Sequence, residues 1–446
     1  MLASCGGLFV FLALPWPLAA SGDAATAAAA ASDAVAGAPT AVALAVAPTA
    51  LASAPTAVGP SAAALRLSEI TLDAEAGRYV APLGDGRAVL TMVPELQGRI
   101  QKLLADYRVP WAAAVLVEPA TGRVLAMAEH SQREPAARAL SLKARAPAAS
   151  VFKIVTSAAL LSRGFEPDAE VCYHGGRHRV QRGNLADDPR RDRRCLSLSA
   201  ALGHSANVVF AKLADRALNA ELLRAEARRF LFDTSIPFAE PVEVSRADIP
   251  EDPFALATTA AGFGDVRLSP LHGALLAAIV ANGGVFVPPE VVDAVEGGAA
   301  PARSAPRRVV DARVAESLAT MMRTTVTEGT ARQFFRERRA RSPLKGLSVA
   351  GKTGSLSQAT PYRDWSWFVG FAGGERSRVA FAVLVENDRQ WRVKAPYVAR
   401  EALRAWAEWD AVRMQAGRPV PRGLSPAWAL AAAGPGPAGG SSRAAR

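Results

Sequence analysis

The chain has 446 residues, half of them apolar, and carries a net charge of +11. That length holds roughly two or three ordinary domains, or one large domain with extensions. The excess charge is almost all arginine, with only seven lysines among the 52 basic residues. Its basic runs, Arg177–Arg194 and Arg332–Arg341, have no interleaved aromatics and no nucleic-acid module around them. They exclude nucleic acid as a partner and read as solvated faces, or as surfaces drawn to anionic lipid or wall polymer.

Residues 1–20 are apolar and uncharged, as in an export signal or a short membrane anchor, although a basic leading region is missing. Residues 21–65 are Ala-rich with scattered Pro, Thr and Ser, and too poor in large apolar side chains to offset chain entropy, so they read as a linker. Residues 413–446 have the same character. One foldable domain of residues 66–412 remains, enough for a sizeable core. Cys5 belongs to the leader, which leaves Cys172 and Cys195. In an oxidising compartment such a pair usually bridges. The neighbouring His174 and His178 make zinc conceivable, but the spacing fits no strong template, and no metal or cofactor is expected.

Within the domain, Leu96, Ile100, Leu103, Leu104 and Tyr107 recur at helical spacing after Pro94. Two apolar segments around Ala120-Thr121-Gly122 then read as a hairpin. The run from Ala149 to Ser162 is apolar nearly all round and stopped by Gly164, which predicts a buried helix. Another helix is expected over Ser199–Ala217. A third starts at Ser269-Pro270, with an N-cap serine and a first-turn proline. In the last third, three short apolar segments beginning near Gly346, Trp365 and Arg378 read as antiparallel strands, closed by a helix through Val398, Leu403 and Trp406. Two early strands, three late ones and a helical middle make an α+β unit whose sheet is assembled from both ends of the domain.

Chemistry concentrates in three places. Lys352-Thr353-Gly354 is the strongest signal, since residue frequencies give that triplet about 0.02 chance occurrences per chain. Ser150-Val151-Phe152-Lys153 is weaker alone, and a second Ser-x-x-Lys stands at Ser342–Lys345. Context separates them: Ser150 opens an apolar helix, so Lys153 returns to its face one turn later, whereas Ser342 lies in an arginine-rich loop. A serine hydroxyl needs a neighbour to take its proton, and lysine can do so only when burial or nearby positive charge depresses its pKa. Arginine stays protonated, so lysines in an arginine-rich chain are informative. Ser205-Ala206-Asn207 is the third element, commonplace alone and by itself an ordinary N-cap.

In this order, these motifs resemble the penicilloyl serine transferases, which comprise penicillin-binding proteins and serine β-lactamases. Segments such as VEPATGRVLAMA, HSANVVFAKLA, GFGDVRLSPLHGALLAAIVANGG, EGTARQFF and VAGKTGS extend the resemblance over residues of about 89–386. It implies a five-stranded antiparallel sheet flanked by helices, beside an all-helical subdomain, with the site between them. It also implies that Ser150 attacks the carbonyl of a D-Ala-D-Ala stem peptide while Lys153 takes its proton. Ser205 would relay that proton, and Asn207 would hold Lys153 and the substrate amide. Lys352, Thr353, Gly354 and Ser355 would bind the terminal carboxylate or its β-lactam equivalent, and the N–H groups of Ser150 and Ser355 would form the oxyanion hole. Ser355 and Ser269 stand where this family commonly has threonine.

The expected activity is therefore peptidoglycan D,D-transpeptidation outside the cytoplasm, at the periplasmic or outer face of the inner membrane. Stem peptides and β-lactams are the expected partners, with membrane and cell-wall assembly proteins beside them. The alternatives are a D,D-carboxypeptidase, a serine β-lactamase, or a non-catalytic penicillin-binding sensor. A Glu-x-x-x-Asn signature for a deacylating water is missing, which speaks against the lactamase.

Overall fold

The structure is a computed structural model, and it describes residues 65–298, 303–336, 344–374 and 376–415, all within the unit beginning at Gly59. The expected leader, nearly all of the linker, and the tail beyond Gln415 lie outside the described residues. So does Ser342. Leu65 is already buried and its N–H bonds to the Ala239 carbonyl.

The central sheet has five antiparallel strands in the order Ser348–Ala359, Tyr362–Gly373, Arg378–Asn387, Trp111–Val117, Val124–His130. Its middle strands are apolar on both sides because both faces are covered. Along Trp111–Val117, Ala113, Val115 and Val117 enter one core while Ala112, Ala114 and Leu116 enter the other. Helix Pro270–Ala281 lies on the first face, and helices Pro94–Asp106 and Ala395–Gln415 lie on the second. Ser269 caps the first of these, accepting from the His272 N–H at 3.2 Å. Gly273 lets that helix settle against the sheet, since a Cβ there would stand 3.1 Å from the Ala382 Cβ. A helical region holding Lys153–Ser162, Leu198–Gly203, Asn207–Ala217, Ala220–Arg229 and Ala312–Thr327 completes the fold. The α+β architecture read from the sequence is present, and its sheet joins early and late segments as expected.

Three features depart from the sequence reading. First, the single helix expected over Ser199–Ala217 is two helices, Leu198–Gly203 and Asn207–Ala217. The break is a Schellman motif: Ala206 N–H bonds to the Ala201 carbonyl at 2.8 Å and Ser205 N–H to the Leu202 carbonyl at 3.1 Å. Ser205 takes the left-handed position (φ 54°) that glycine usually fills, so the stop carries no glycine signal. Second, a small four-stranded sheet of Thr71–Asp73, Arg78–Leu83, Gly86–Leu90 and Val292–Val295 was not foreseen. Third, the closing helix runs to Gln415, past the expected boundary at 412.

Cys172 and Cys195 are directly opposed on a hairpin, Glu170–Tyr173 with Arg194–Ser197, and form a disulfide, which removes the zinc alternative. Beneath it lies a buried polar cluster. Lys212 Nζ reaches Asp192 at 2.7 Å, Asp187 at 2.9 Å and the Cys172 carbonyl at 3.0 Å. His174 spans Asp192 (2.6 Å) and the Gly183 carbonyl (2.9 Å), so it is part of a structural network. Burial alone would raise the Asp192 carboxyl; hydrogen bonds from Lys212, the Asp188 N–H and His174 outweigh it and hold the group below the usual carboxylate range.

The disulfide closes a 23-residue separation, so the double variant Cys172→Ser/Cys195→Ser is expected to lose about 3 kcal/mol of stability, read from the urea midpoint at unchanged m-value. A change below about 0.5 kcal/mol would show that the buried Lys212 cluster holds the hairpin without it.

Candidate active site

Ser150 lies on a 3₁₀ turn, Ala149–Phe152, which feeds directly into helix Lys153–Ser162. Ala149 is held at φ 48°, a left-handed conformation costly for an L-residue. Gly262 covers the turn so closely that a Cβ there would stand 2.6 Å from the Ala149 carbonyl oxygen and 2.9 Å from the Ser150 nitrogen. The Ser-x-x-Lys spacing works as expected: Lys153 Nζ lies 2.9 Å from Ser150 Oγ.

Lys153 is fully buried, and its amine is surrounded by oxygens. Asn207 Oδ1 and the Ala261 carbonyl oxygen both lie at 2.7 Å, and Ser205 Oγ lies at 3.5 Å. The Phe210 ring centroid is 5.6 Å away. There is no carboxylate among these contacts. Burial, helped by the charge of Lys352, pushes the Lys153 amine well below the usual lysine range. In its uncharged form the amine has two N–H donors, which Asn207 Oδ1 and the Ala261 carbonyl oxygen can accept, and a lone pair that can then face the Ser150 hydroxyl. Asn207 cannot turn round, because its Nδ2 donates to the His178 carbonyl at 2.9 Å.

The edge strand Ser348–Ala359 supplies the opposite wall. Lys352 is also fully buried, and its Nζ donates to Ser205 Oγ at 3.0 Å and to the Thr353 carbonyl at 2.8 Å. Burial brings its amine down to about 7. Ser205 thus stands between two amines, which its place at the helix break makes possible. Gly354 lets the strand lie against the Ser150 turn, where a Cβ would be 3.1 Å from Val151 Cγ2 and 3.2 Å from the Ala148 carbonyl oxygen. Thr353 and Ser355 project from the next positions into a cleft of ≈ 290 Å³ lined also by Ser150, Ser205, Asn207 and Thr330.

All eight residues singled out in the sequence therefore meet in one place. A larger cavity, ≈ 620 Å³ around Tyr79, Gln97 and Glu129, contains none of them. Lys345, of the second Ser-x-x-Lys, is solvent-exposed. Trp367 packs in the core with its N–H on the Pro147 carbonyl at 2.9 Å. Sequence reasoning missed His178, Thr330, Gln333, Phe334 and Lys394, which also line the cleft. In the sequence His178 stands out only as a neighbour of Cys172, Thr330, Gln333 and Phe334 only as part of the EGTARQFF segment, and Lys394 carries no signal. Among the described residues no group of His, Cys, Asp and Glu side chains could hold a metal ion.

A sheet edge bearing Lys-Thr-Gly, facing a Ser-x-x-Lys turn across a helical Ser-x-Asn corner, defines the penicilloyl serine transferase class. A family model, the penicillin binding protein transpeptidase domain, matches residues 112–404, and the chain belongs to that family. Among curated relatives, the peptidoglycan D,D-transpeptidase PbpA of Mycobacterium tuberculosis is 30% identical over 315 residues, 62% of this chain and 62% of the relative. The PbpA of Mycolicibacterium smegmatis is 28% identical over 313 residues, again 62% of each. The chain thus spans about three-fifths of the length of these relatives. Among solved structures, the crystal structure of PBPA from M. tuberculosis aligns with a TM-score of 0.57 at 26% identity, covering 73% of this chain and 81% of that one.

Because Gly262 (φ +95°) touches the backbone of the nucleophile turn, Gly262→Ala is expected to displace Ser150 and slow its modification by a serine-directed acylating agent about a hundredfold in stopped-flow measurements. An unchanged rate in folded protein would mean that the Ala149–Ser150 turn holds its shape without this contact.

Proposed function

We propose that this chain is a peptidoglycan D,D-transpeptidase whose reaction runs through an acyl-enzyme on Ser150. The observation that carries this reading is the fully buried Lys153 amine, 2.9 Å from Ser150 Oγ and with no carboxylate among its contacts. In the first step the Ser150 oxygen bonds to the carbonyl carbon of the penultimate D-alanine of a stem peptide, and its proton passes to Lys153. The tetrahedral oxyanion is received by the N–H groups of Ser150 and Ser355. The C–N bond then breaks, and the departing D-alanine amine takes a proton from Lys153 through Ser205, which contacts both lysines. Lys352, Thr353 and Ser355 hold the terminal carboxylate. In the second step an amine of a neighbouring stem peptide attacks the ester, its proton returns to Ser150, and the cross-link is formed.

Among the described residues that line the cleft there is no carboxylate to activate a deacylating water, which speaks against a carboxylate-assisted lactamase. A β-lactam has the same amide and carboxylate and would acylate Ser150 without a leaving group that departs. Imipenem and penicillin G acyl-enzyme complexes are known for the M. tuberculosis protein, and both drugs would act here in the same way. The Cys172–Cys195 disulfide supports an oxidising, extracytoplasmic setting, at the outer face of the cytoplasmic membrane. Membrane and wall-assembly partners would be engaged there. Among the described residues no helix is long and apolar enough to cross a membrane.

A fluorescent penicillin is expected to form a long-lived adduct that is lost in Ser150→Ala, and muropeptides incubated with the protein should yield cross-linked dimers by mass spectrometry. Trimmed monomers alone would reassign it as a carboxypeptidase, rapid turnover of the drug as a lactamase, and no labelling of folded protein as a non-catalytic binder.

The pH dependence follows from the two lysines. Lys153 works as base only above its depressed pKa, and Lys352 holds a carboxylate by charge only below about 7. The second-order acylation rate is therefore expected to rise from acid, and to fall again as pH climbs past about 7. A rate still rising at about pH 9 would contradict this assignment of roles.

A further inference from the structure

Thr330 has no part in the mechanism described above, yet its hydroxyl meets the substrate-binding strand inside the cleft. Its Oγ1 lies 2.6 Å from Thr353 Oγ1, and both hydroxyls line the cleft with Ser355. Thr330 belongs to the turn between helices Ala312–Thr327 and Arg332–Phe335, so it reaches Thr353 from another element. That turn is firmly set. Thr330 N–H donates to the Gly203 carbonyl at 3.0 Å, and a Cβ on Gly329 would fall 2.0 Å from the same oxygen. The Gly203 carbonyl belongs to the helix that ends in the Ser205 corner. Thr330 thus links both walls of the cleft.

We propose that Thr330 is a third hydroxyl of the carboxylate-binding subsite, acting on the ligand itself beside Thr353 and Ser355. The argument rests on hydrogen-bond supply. Each hydroxyl has a single proton. While Thr353 and Thr330 bond to each other, one of those protons is spent between them, and the Gly203 carbonyl at 3.4 Å offers the Thr330 proton another acceptor. A carboxylate has four lone-pair sites and forms shorter, stronger bonds than a neutral hydroxyl, so its arrival redirects these protons. Thr353 turns toward the ligand, and Thr330, 2.6 Å from it and lining the same cleft, offers its own donor. The ligand class is a carboxylate alpha to the scissile amide, as on a terminal D-alanine or a penicillin. This extends the function proposed above and rests on it.

The test compares benzylpenicillin with its methyl ester, which keeps the reactive ring and removes the anionic oxygen. In the wild type, second-order acylation of Ser150 is expected to be much faster with the acid. Thr330→Val should reduce the rate for the acid about tenfold and leave that for the ester nearly unchanged, so the acid-to-ester ratio collapses; Thr330→Ser should restore it. A residue that merely braces the turn would slow both probes equally, and an unchanged ratio in Thr330→Val overturns the proposal. Should that variant not fold, the wild-type benzylpenicillin acyl-enzyme crystal decides. Thr330 Oγ1 is expected within hydrogen-bond reach of the ligand carboxylate, and a separation beyond about 3.5 Å overturns the proposal. If neither probe labels wild-type protein, it is the transpeptidase reading that fails.

Discussion

An amine in water at neutral pH is charged, and a charged amine cannot take a proton from serine. The site depends on reversing that preference. Lys153 is fully buried, its amine lies beside the Phe210 ring and the Ala261 carbonyl, and no carboxylate among its contacts offsets the cost of a charge there. Lys352 adds repulsion from across the cleft. What the pocket supplies instead is two carbonyl oxygens, which satisfy a neutral amine and leave its lone pair for Ser150. The same physics makes the pair of lysines costly, since each would be more stable protonated in water than neutral in the fold.

The architecture can be seen as the support for that arrangement. Five antiparallel strands give a rigid edge, and the core on both faces fixes where that edge runs. Gly354 allows the edge to press on the nucleophile turn, and Gly262 presses on the turn from the other side. Two non-glycine residues are held at left-handed angles here, Ala149 beside the nucleophile and Ser205 between the lysines. Such conformations persist only where their surroundings over-determine them. Behind Ser205 and Asn207, the disulfide and the buried Lys212–Asp192–His174 cluster anchor the loop whose His178 carbonyl orients Asn207.

Much of this was legible in the sequence because the determinants are local. Ser150 and Lys153 are one helical turn apart, and Lys352, Thr353, Gly354 and Ser355 are consecutive on a strand, so spacing alone implies shared placement. The corner at Ser205 was not legible, because its Schellman stop uses serine in the position where glycine would announce it. The four-stranded sheet was missed although Gly84-Asp85 forms a two-residue hairpin loop between paired Leu83 and Gly86. Its fourth strand, Val292–Val295, comes from about two hundred residues away, and no local pattern encodes that partnership. Thr330 and His178 were passed over for a similar reason: each meets its partner only after distant elements pack.

The protonation state of Lys153 is open to direct observation. With seven lysines in the chain, side-chain NMR of protein carrying ¹³C- and ¹⁵N-labelled lysine resolves each amine through its own titration, and Lys153→Arg assigns the signal. The account expects the Lys153 amine to shed its proton well below the usual lysine range. If Lys153 instead titrates within the usual lysine range, it is charged at neutral pH, Ser150 has no base, and the account is wrong.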